Sequence, residues 1–308
     1  MTDLLDRLPP DPILERRAVI QQRAAKTIGR RTLISKVFIS LMVLAFLLAL
    51  VPLGSLIFAL LQKGLSSINW PFLHTLPTQP SLIDQNAIGG IGNAIEGTVI
   101  IDALAGLVAI PIAVILGLYL CEATSRAANF LRAIIEIMTG LPSILLGVFA
   151  YEYVVVRMKS FSGLAGIVAL AVLMVPLIAK ASELAFRGVP NTLREAGLAL
   201  GARSSRVTRG VIIPAALPGM ITGILLSLAR AMGETAPLLL VIGASGDWTW
   251  NPLKQMSALP LLTYNYSGSQ YPSQRAAAWG VALTLVVMVM ILSLGSRLVA
   301  ARLRRERR

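Results

Sequence analysis

The sequence predicts an all-α polytopic membrane protein with six transmembrane helices and both termini on the cytoplasmic side. Three observations predict it. Hydrophobic residues fill 56% of the 308 positions and charged residues only 14%, with a mean hydropathy of +0.74, which excludes an ordinary soluble domain. Six apolar runs are long enough to cross about 30 Å of hydrocarbon, which takes about 20 helical residues. The basic residues are also spread unevenly over the connections between those runs, and their excess marks the inside.

The runs lie near Val37 to Leu61, Asn93 to Leu120, Leu131 to Val155, Gly163 to Ala179, Ala216 to Ile242 and Ala276 to Val299. With the amino end inside, the inner segments hold 22 of the 28 Lys and Arg residues. The outer loops hold five, Lys63, Arg157, Lys159, Lys254 and Arg275, and Arg230 lies within a span. Arg157 and Lys159 run mildly against the rule. The expected organisation is a cytoplasmic tail over 1–36, a transmembrane domain over 37–300 with a long cytoplasmic loop at about 183–215, and a basic cytoplasmic end over 301–308. The tail, with Pro9, Pro10 and Pro12, has no signal-peptide pattern and is expected to stay attached.

A net charge of +13 in a soluble protein would suggest nucleic acid. Here topology accounts for it, the carboxyl-terminal arginines suit anionic membrane lipid, and no nucleic-acid partner is expected. Cys121 is the sole cysteine, with neither a second thiol nor metal-ligand spacing, and His74 is the sole histidine. No lysine follows a glycine as a phosphate-cradling loop requires, and neither a zinc-binding HExxH nor a GxSxG with a usable histidine occurs. No catalytic residue, metal or cofactor is expected. If ATP drives this protein, another chain hydrolyses it.

Two constellations carry function. The first is Glu195 to Pro214, E-A-G-L-A-L-G-A-R-S-S-R-V-T-R-G-V-I-I-P, a polar stretch between apolar runs. Asn191 or Thr192 can cap a short helix, Gly201 supplies a turn, Ser204 or Ser205 can cap a second helix, and Pro214 marks the return to the membrane. A helix–turn–helix knob ringed by Arg203, Arg206 and Arg209 suits docking into a groove on a soluble partner. The stretch resembles the coupling loop of ABC-importer permeases, whose pattern is Glu-Ala-Ala, three residues, Gly, nine residues, Ile-x-Leu-Pro. Glu195, Ala196, Gly201, Val211, Ile213 and Pro214 take the corresponding places. Gly197 replaces the second Ala, a change that weakens an exposed helix interior by about 1 kcal/mol.

The second constellation is A-R-A-M-G-E-T-A-P-L-L-L, Ala229 to Leu240, in the fifth run. A charge at mid-bilayer costs about 2.5–3.5 kcal/mol on insertion scales, so Arg230 and Glu234 are expected to face protein or a watery path. The Arg230 guanidinium suits an oxyanion through its planar fork, and Glu234, one turn on, neutralises it in the absence of substrate. Pro237 cannot donate to the carbonyl of Gly233, so a kink is expected there. The alternative is a fixed ion pair that sets helix packing.

This string resembles the fifth-span signature of phosphate ABC-transporter permeases of the A-type subunit (PstA type). Gly89 to Thr98, Gly140 to Tyr151, and Phe161 to Leu173 with Pro176 resemble its second to fourth spans. The resemblance implies a substrate path through Arg230, Glu234 and Thr235 and a heterodimer with a homologous permease. It also implies a pair of cytosolic ATPase subunits docked on the Glu195–Pro214 loop, an external phosphate-binding protein and residence in a bacterial inner membrane. Another oxyanion such as sulfate or molybdate, or a proton-coupled secondary transporter built on Arg230 and Glu234, are the alternatives. Gly219 and Gly223 offer a small-x-x-x-small face to a partner helix. Trp70, Trp248, Trp250, Tyr264, Tyr266 and Tyr271 could seat the binding protein or form an interfacial belt. Glu96 and Asp102 are expected in interhelical hydrogen bonds, and Glu122, Glu136, Glu152 and Glu183 near span ends to be solvated or paired.

Overall fold

The computed structural model describes residues 12–78 and 88–305, which form helices and loops with no strand among them. The expectations for Pro9, Pro10 and the last three residues lie outside the described residues. The chain divides after Ala59. In the first unit, α1 (Pro12–Ser67) begins at the proline whose missing N–H costs a helix start nothing. Its large apolar side chains from Leu33 to Phe58 are exposed on every face, which suits a helix surrounded by lipid.

The second unit begins with the last turns of α1 and continues through α2 (Trp70–His74) and α3 (Gly92–Glu122). Then come α4 (Arg126–Gly140), α5 (Ser143–Ala150), α6 (Val156–Met158) and α7 (Gly163–Arg187). The α8 helix (Asn191–Ala199) and α9 (Ser204–Val207) lead into α10 (Ile213–Met232) and α11 (Ala236–Leu239). The unit closes with α12 (Leu259–Ser267) and α13 (Pro272–Arg305).

The centre is α7, which packs on α3, α4, α5 and α10. On α3 the buried residues Ile101, Ala105, Ala109, Ala113 and Gly117 recur every fourth position, one face of a 3.6-residue helix. They meet a row on α7 that includes Leu170, Met174, Ile178 and Ser182. The opposite face of α3 exposes Leu107, Val108, Ile112 and Ile115.

Five helices are long and apolar enough to cross a membrane, and a bent pair makes a sixth crossing if counted as one. The bent pair corrects the third expected run, Leu131 to Val155. The chain turns by 102° between Arg126–Gly140 and Ser143–Met158. Pro142 is the cause: it forces Leu141 out of the helical region, to φ −70 and ψ 139. The α4 half is amphipathic, with Arg126, Arg132 and Glu136 among apolar residues. The second half contains a π-helical turn at Tyr151–Val155.

The fifth run is corrected too. Helix extends from Ser204 to Met232 rather than from Ala216 to Ile242. The knob's second helix enters α10 without a break, through a π-helical turn at Thr208–Ile212 in which Ile213 N–H bonds Thr208 O. The wider turn accommodates Pro214, which has no N–H to give to Gly210 in an α-helical ladder. At the other end the helix stops at Gly233 instead of kinking, and α11 is a separate turn.

Gly219 and Gly223 lie beside α7 of the same chain, and Gly219 remains exposed. A Cβ on Gly219 would lie 3.1 Å from Ala185 Cβ, and one on Gly223 would overlap Ala181 Cβ. At Gly223 the small-residue face is spent on α7 of the same chain. Gly223→Val is expected to destabilise the fold by about 1–3 kcal/mol through overpacking, and Gly223→Ala with Ala181→Gly to recover most of the loss. Thermal denaturation midpoints of the detergent-solubilised protein check both.

Candidate functional site

The Glu195–Pro214 stretch forms the expected knob, α8, a turn, then α9. The turn is a Schellman motif: Gly201 has φ +77, its N–H bonds Leu198 O at 2.9 Å, and Ala202 N–H bonds Gly197 O at 3.3 Å. Left-handed backbone at this position costs an L-residue about 1–2 kcal/mol, which glycine avoids. The helix starts differ from expectation. Pro190 precedes α8 and Arg203 precedes α9, neither supplying a side-chain cap. Asn191, Ser204 and Ser205 are already helical. Gly197 has a packing reason: a Cβ there would sit 2.9 Å from a methyl of the buried Val207, so the helix loss from glycine admits close contact between α8 and α9.

Glu195, Ala196 and Gly201 are exposed, whereas Val211, Ile213 and Pro214 are half-buried at the foot. Sequence reasoning missed the apolar crest of the knob. Leu193 and Leu198 are exposed and Leu200, beside the turn, is 89% exposed. The signal was present as leucines inside a polar loop. Exposed leucines on a rigid helix–turn–helix, with Arg203, Arg206 and Arg209 exposed beside them, form a surface able to enter a groove.

Two ionic clamps hold the foot. Glu122, the last residue of α3, accepts through Oε1 from Arg194 Nη2 on α8 and from Thr208 Oγ1 in the π-helical turn, both at 3.0 Å. Arg132 on α4 donates to Glu183 at 3.0 Å, to Ala123 O at 3.3 Å and to Leu120 O. It thereby satisfies carbonyls at the open end of α3. Arg187 also reaches Glu183, at 2.7 Å. Glu122 and Glu183 are thus paired, as expected of acids near span ends. Arg187 lies one helical turn from Glu183, but Arg132, Arg194 and Thr208 were not legible because they lie 51 to 86 positions from the acids they pair with.

Arg230 and Glu234 come together only loosely. Nε and Oε1 are 3.9 Å apart, Arg230 is 60% exposed and Glu234 19%. Arg230 sits in the last turn of α10, on the stripe that also exposes Leu226 and Gly233, while its neighbours Ala229 and Ala231 are buried. Thr235 lies in the break, half-buried, and its carbonyl accepts from Leu239 N–H at 3.0 Å. The guanidinium therefore projects out of this chain, with most of its N–H groups available.

Trp70, Trp248, Trp250 and Tyr264 are exposed, but Tyr266 belongs to a core cluster with Phe72, Ile91 and Val281 and is withdrawn from any docking surface. Asp102 is 4% exposed, and its Oδ1 has no hydrogen-bond partner among the described residues. The expected interhelical bond is not made there. No group of three His, Cys, Asp or Glu residues suited to a metal occurs among the described residues.

Replacing Gly201 by Val is expected to strain the Schellman turn by about 1–2 kcal/mol while leaving the spans intact. Limited trypsin digestion at Arg203, Arg206 and Arg209 should accelerate severalfold in Gly201→Val and less in Gly201→Ala.

Residues 109–305 match the family of binding-protein-dependent transport system inner membrane components. The chain is 35% identical over 271 residues to the phosphate transport system permease protein PstA of Xylella fastidiosa, covering 87% of this chain and 93% of that one. It is 32% identical over 249 residues to PstA of Yersinia pestis, covering 80% and 83%. Identity to PstA 1 of Mycobacterium tuberculosis is 32% over 282 residues, covering 90% and 91%. Among solved structures, the inward-facing MetNI methionine ABC transporter aligns with a TM-score of 0.56 at 23% identity, over 68% of this chain and 96% of that one. The bacterial alginate ABC transporter in complex with its pentasaccharide-bound periplasmic protein gives 0.59 at 15%, over 91% and 96%. The two structures share the fold of the chain. The chain belongs to the inner membrane components of binding-protein-dependent transport systems, in their PstA branch, and is a membrane-spanning transport subunit rather than an enzyme.

Proposed function

We propose that this chain lines half of the path of an ATP-driven importer of inorganic phosphate, the other half being a homologous permease. The observation that carries the reading is the exposure of Arg230 at the end of an apolar span. The guanidinium there meets Glu234 only at 3.9 Å and is otherwise open, so its free donors suit a watery passage shared with a second protein. A guanidinium offers a tetrahedral oxyanion two parallel hydrogen bonds. Relatives carrying the name phosphate permease favour phosphate over other oxyanions.

Phosphate delivered by an external binding protein would meet Arg230, draw it from Glu234 across a 3.9 Å gap, and leave as the pair closes again. Thr235, at the helix break, adds a hydroxyl beside the path. The driving step lies on two cytosolic ATPase subunits that grip the knob. The leucine crest enters their grooves and the Schellman turn keeps the knob rigid. This reading puts both termini and the knob in the cytoplasm of a bacterial inner membrane. The carboxyl-terminal arginines then sit against anionic lipid.

Arg230→Gln is expected to abolish uptake of labelled phosphate in cells lacking other phosphate importers, with the complex still assembled. Glu234→Gln should lower uptake, and the double substitution should remain inactive. Recovered uptake in the double variant would reduce the pair to charge balance, and unlabelled sulfate or molybdate competing as well as phosphate would reassign the substrate. Gly201→Val or Glu195→Lys should leave the complex inserted but cut substrate-stimulated ATP hydrolysis by at least tenfold. Normal coupling in both would remove the knob from that role. With Cys121 replaced, cysteines at Ser205 and Ser267 should label from the cytosolic and outer faces respectively, and the reverse pattern would invert the topology.

A further inference from the structure

The foot of the knob contains a feature that transport does not use. A cavity of about 320 Å³ opens there, lined by Cys121, Phe186, Arg187, Asn191, Arg194 and Ile212. A water occupies about 30 Å³ in the liquid, so a hydrated tetrahedral anion fits. Two guanidinium groups face the cavity, and each is only partly engaged. Arg187 reaches Glu183 through Nη2 alone at 2.7 Å, and Arg194 reaches Glu122 through Nη2 alone at 3.0 Å. An arginine carries five N–H donors, so both retain donors for a ligand.

The network also has a surplus of charge. Arg132, Arg187 and Arg194 share the two carboxylates Glu122 and Glu183. The first turn of α8, uncapped by any side chain, forms part of the rim and adds the positive end of a helix dipole.

We propose that this cavity binds a tetrahedral oxyanion, inorganic phosphate or the phosphate of a lipid headgroup, which competes with Glu122 for Arg194. Occupancy has a mechanical consequence, because Glu122 is the atom bridge between α3, α8 and the π-helical turn. An anion that draws Arg194 away loosens the knob's attachment to the bundle while leaving Thr208 on Glu122. The site is thus a brake or a tether on the coupling element, according to whether the anion is free or anchored in lipid. It is separate from Arg230 and does not depend on which oxyanion is transported.

Cys121 lines the cavity and is the only cysteine of the chain, which makes it the reporter. The purified complex with its ATPase subunits is alkylated with a maleimide, and modification of the Cys121 peptide is timed by mass spectrometry. In phosphatidylcholine nanodiscs, millimolar phosphate or sulfate should slow alkylation at least threefold relative to chloride at equal ionic strength, if the ligand is a free anion. If it is a headgroup, phosphatidylglycerol nanodiscs should give the same slowing without added phosphate. Either protection should vanish in Arg194→Gln and in Arg187→Gln. It should strengthen in Glu122→Gln, where the competing carboxylate charge is gone; an unchanged or weaker effect would contradict the competition. Alkylation insensitive to both anion and lipid overturns the site. Protection that survives Arg194→Gln and Arg187→Gln but disappears in Arg230→Gln would place the anion in the transport path and overturn it as well.

Discussion

Close approach of backbones along α7 is the constraint on which the rest depends. Helices in lipid gain little from hiding apolar surface, since the surroundings are as apolar as the side chains, and association rests on packing and hydrogen bonds. The α7 helix meets this condition with small residues. A Cβ on Gly117 of α3 would lie 2.7 Å from both Ala179 O and Ser182 Cβ, and Gly219 and Gly223 of α10 rest on Ala185 and Ala181. With α3 and α10 fixed on opposite small-residue rows, their ends are fixed too. The carboxylate of Glu122 and the hydroxyl of Thr208 then meet at 3.0 Å, where a shift of an ångström would separate them. The ionic foot of the knob is a product of apolar packing several turns away.

The same frame explains why Arg230 and the leucines of the knob look outward. Within this chain α10 buries Ala229, Ala231 and Met232 and leaves Arg230 exposed. The knob exposes Leu200 while Val207, seven residues on, is buried against the foot. Each of these exposed surfaces is the complement of a packed one on the same element. The chain is one component of a larger machine, and its unpaired surfaces are located by what its own packing leaves over.

Composition and run length made the helical membrane class legible, because each reflects the bilayer directly and needs no knowledge of contacts. The knob was legible from Gly201 and the residues around it, since a left-handed turn and its hydrogen bonds are local. Failures came where a proline's consequence depended on context. Pro111 and Pro176 sit inside unbroken helices, Pro142 breaks one, and Pro214 is absorbed by a wider turn. The ionic clamps, the inward use of Gly219 and Gly223 and the burial of Tyr266 are contacts between distant segments. A single sequence carries no record of such distances. The caps at Asn191 and Ser204 failed for a smaller reason: Pro190 and Arg203 already supply extended backbone before each helix, so the helix begins one position earlier than a side-chain cap at Asn191 or Ser204 would require.

The π-helical turn at Thr208–Ile212 sets a rotational phase. It joins the knob to the helix that carries Arg230 in one continuous rod, and a residue in such a rod corresponds to about 100° of azimuth at 3.6 residues per turn. Without the extra residue that the wide turn takes up, Arg230 would point about 100° away from its present direction. The direction in which Arg230 points is thus fixed jointly by the packing of α10 and by one wide turn at its foot.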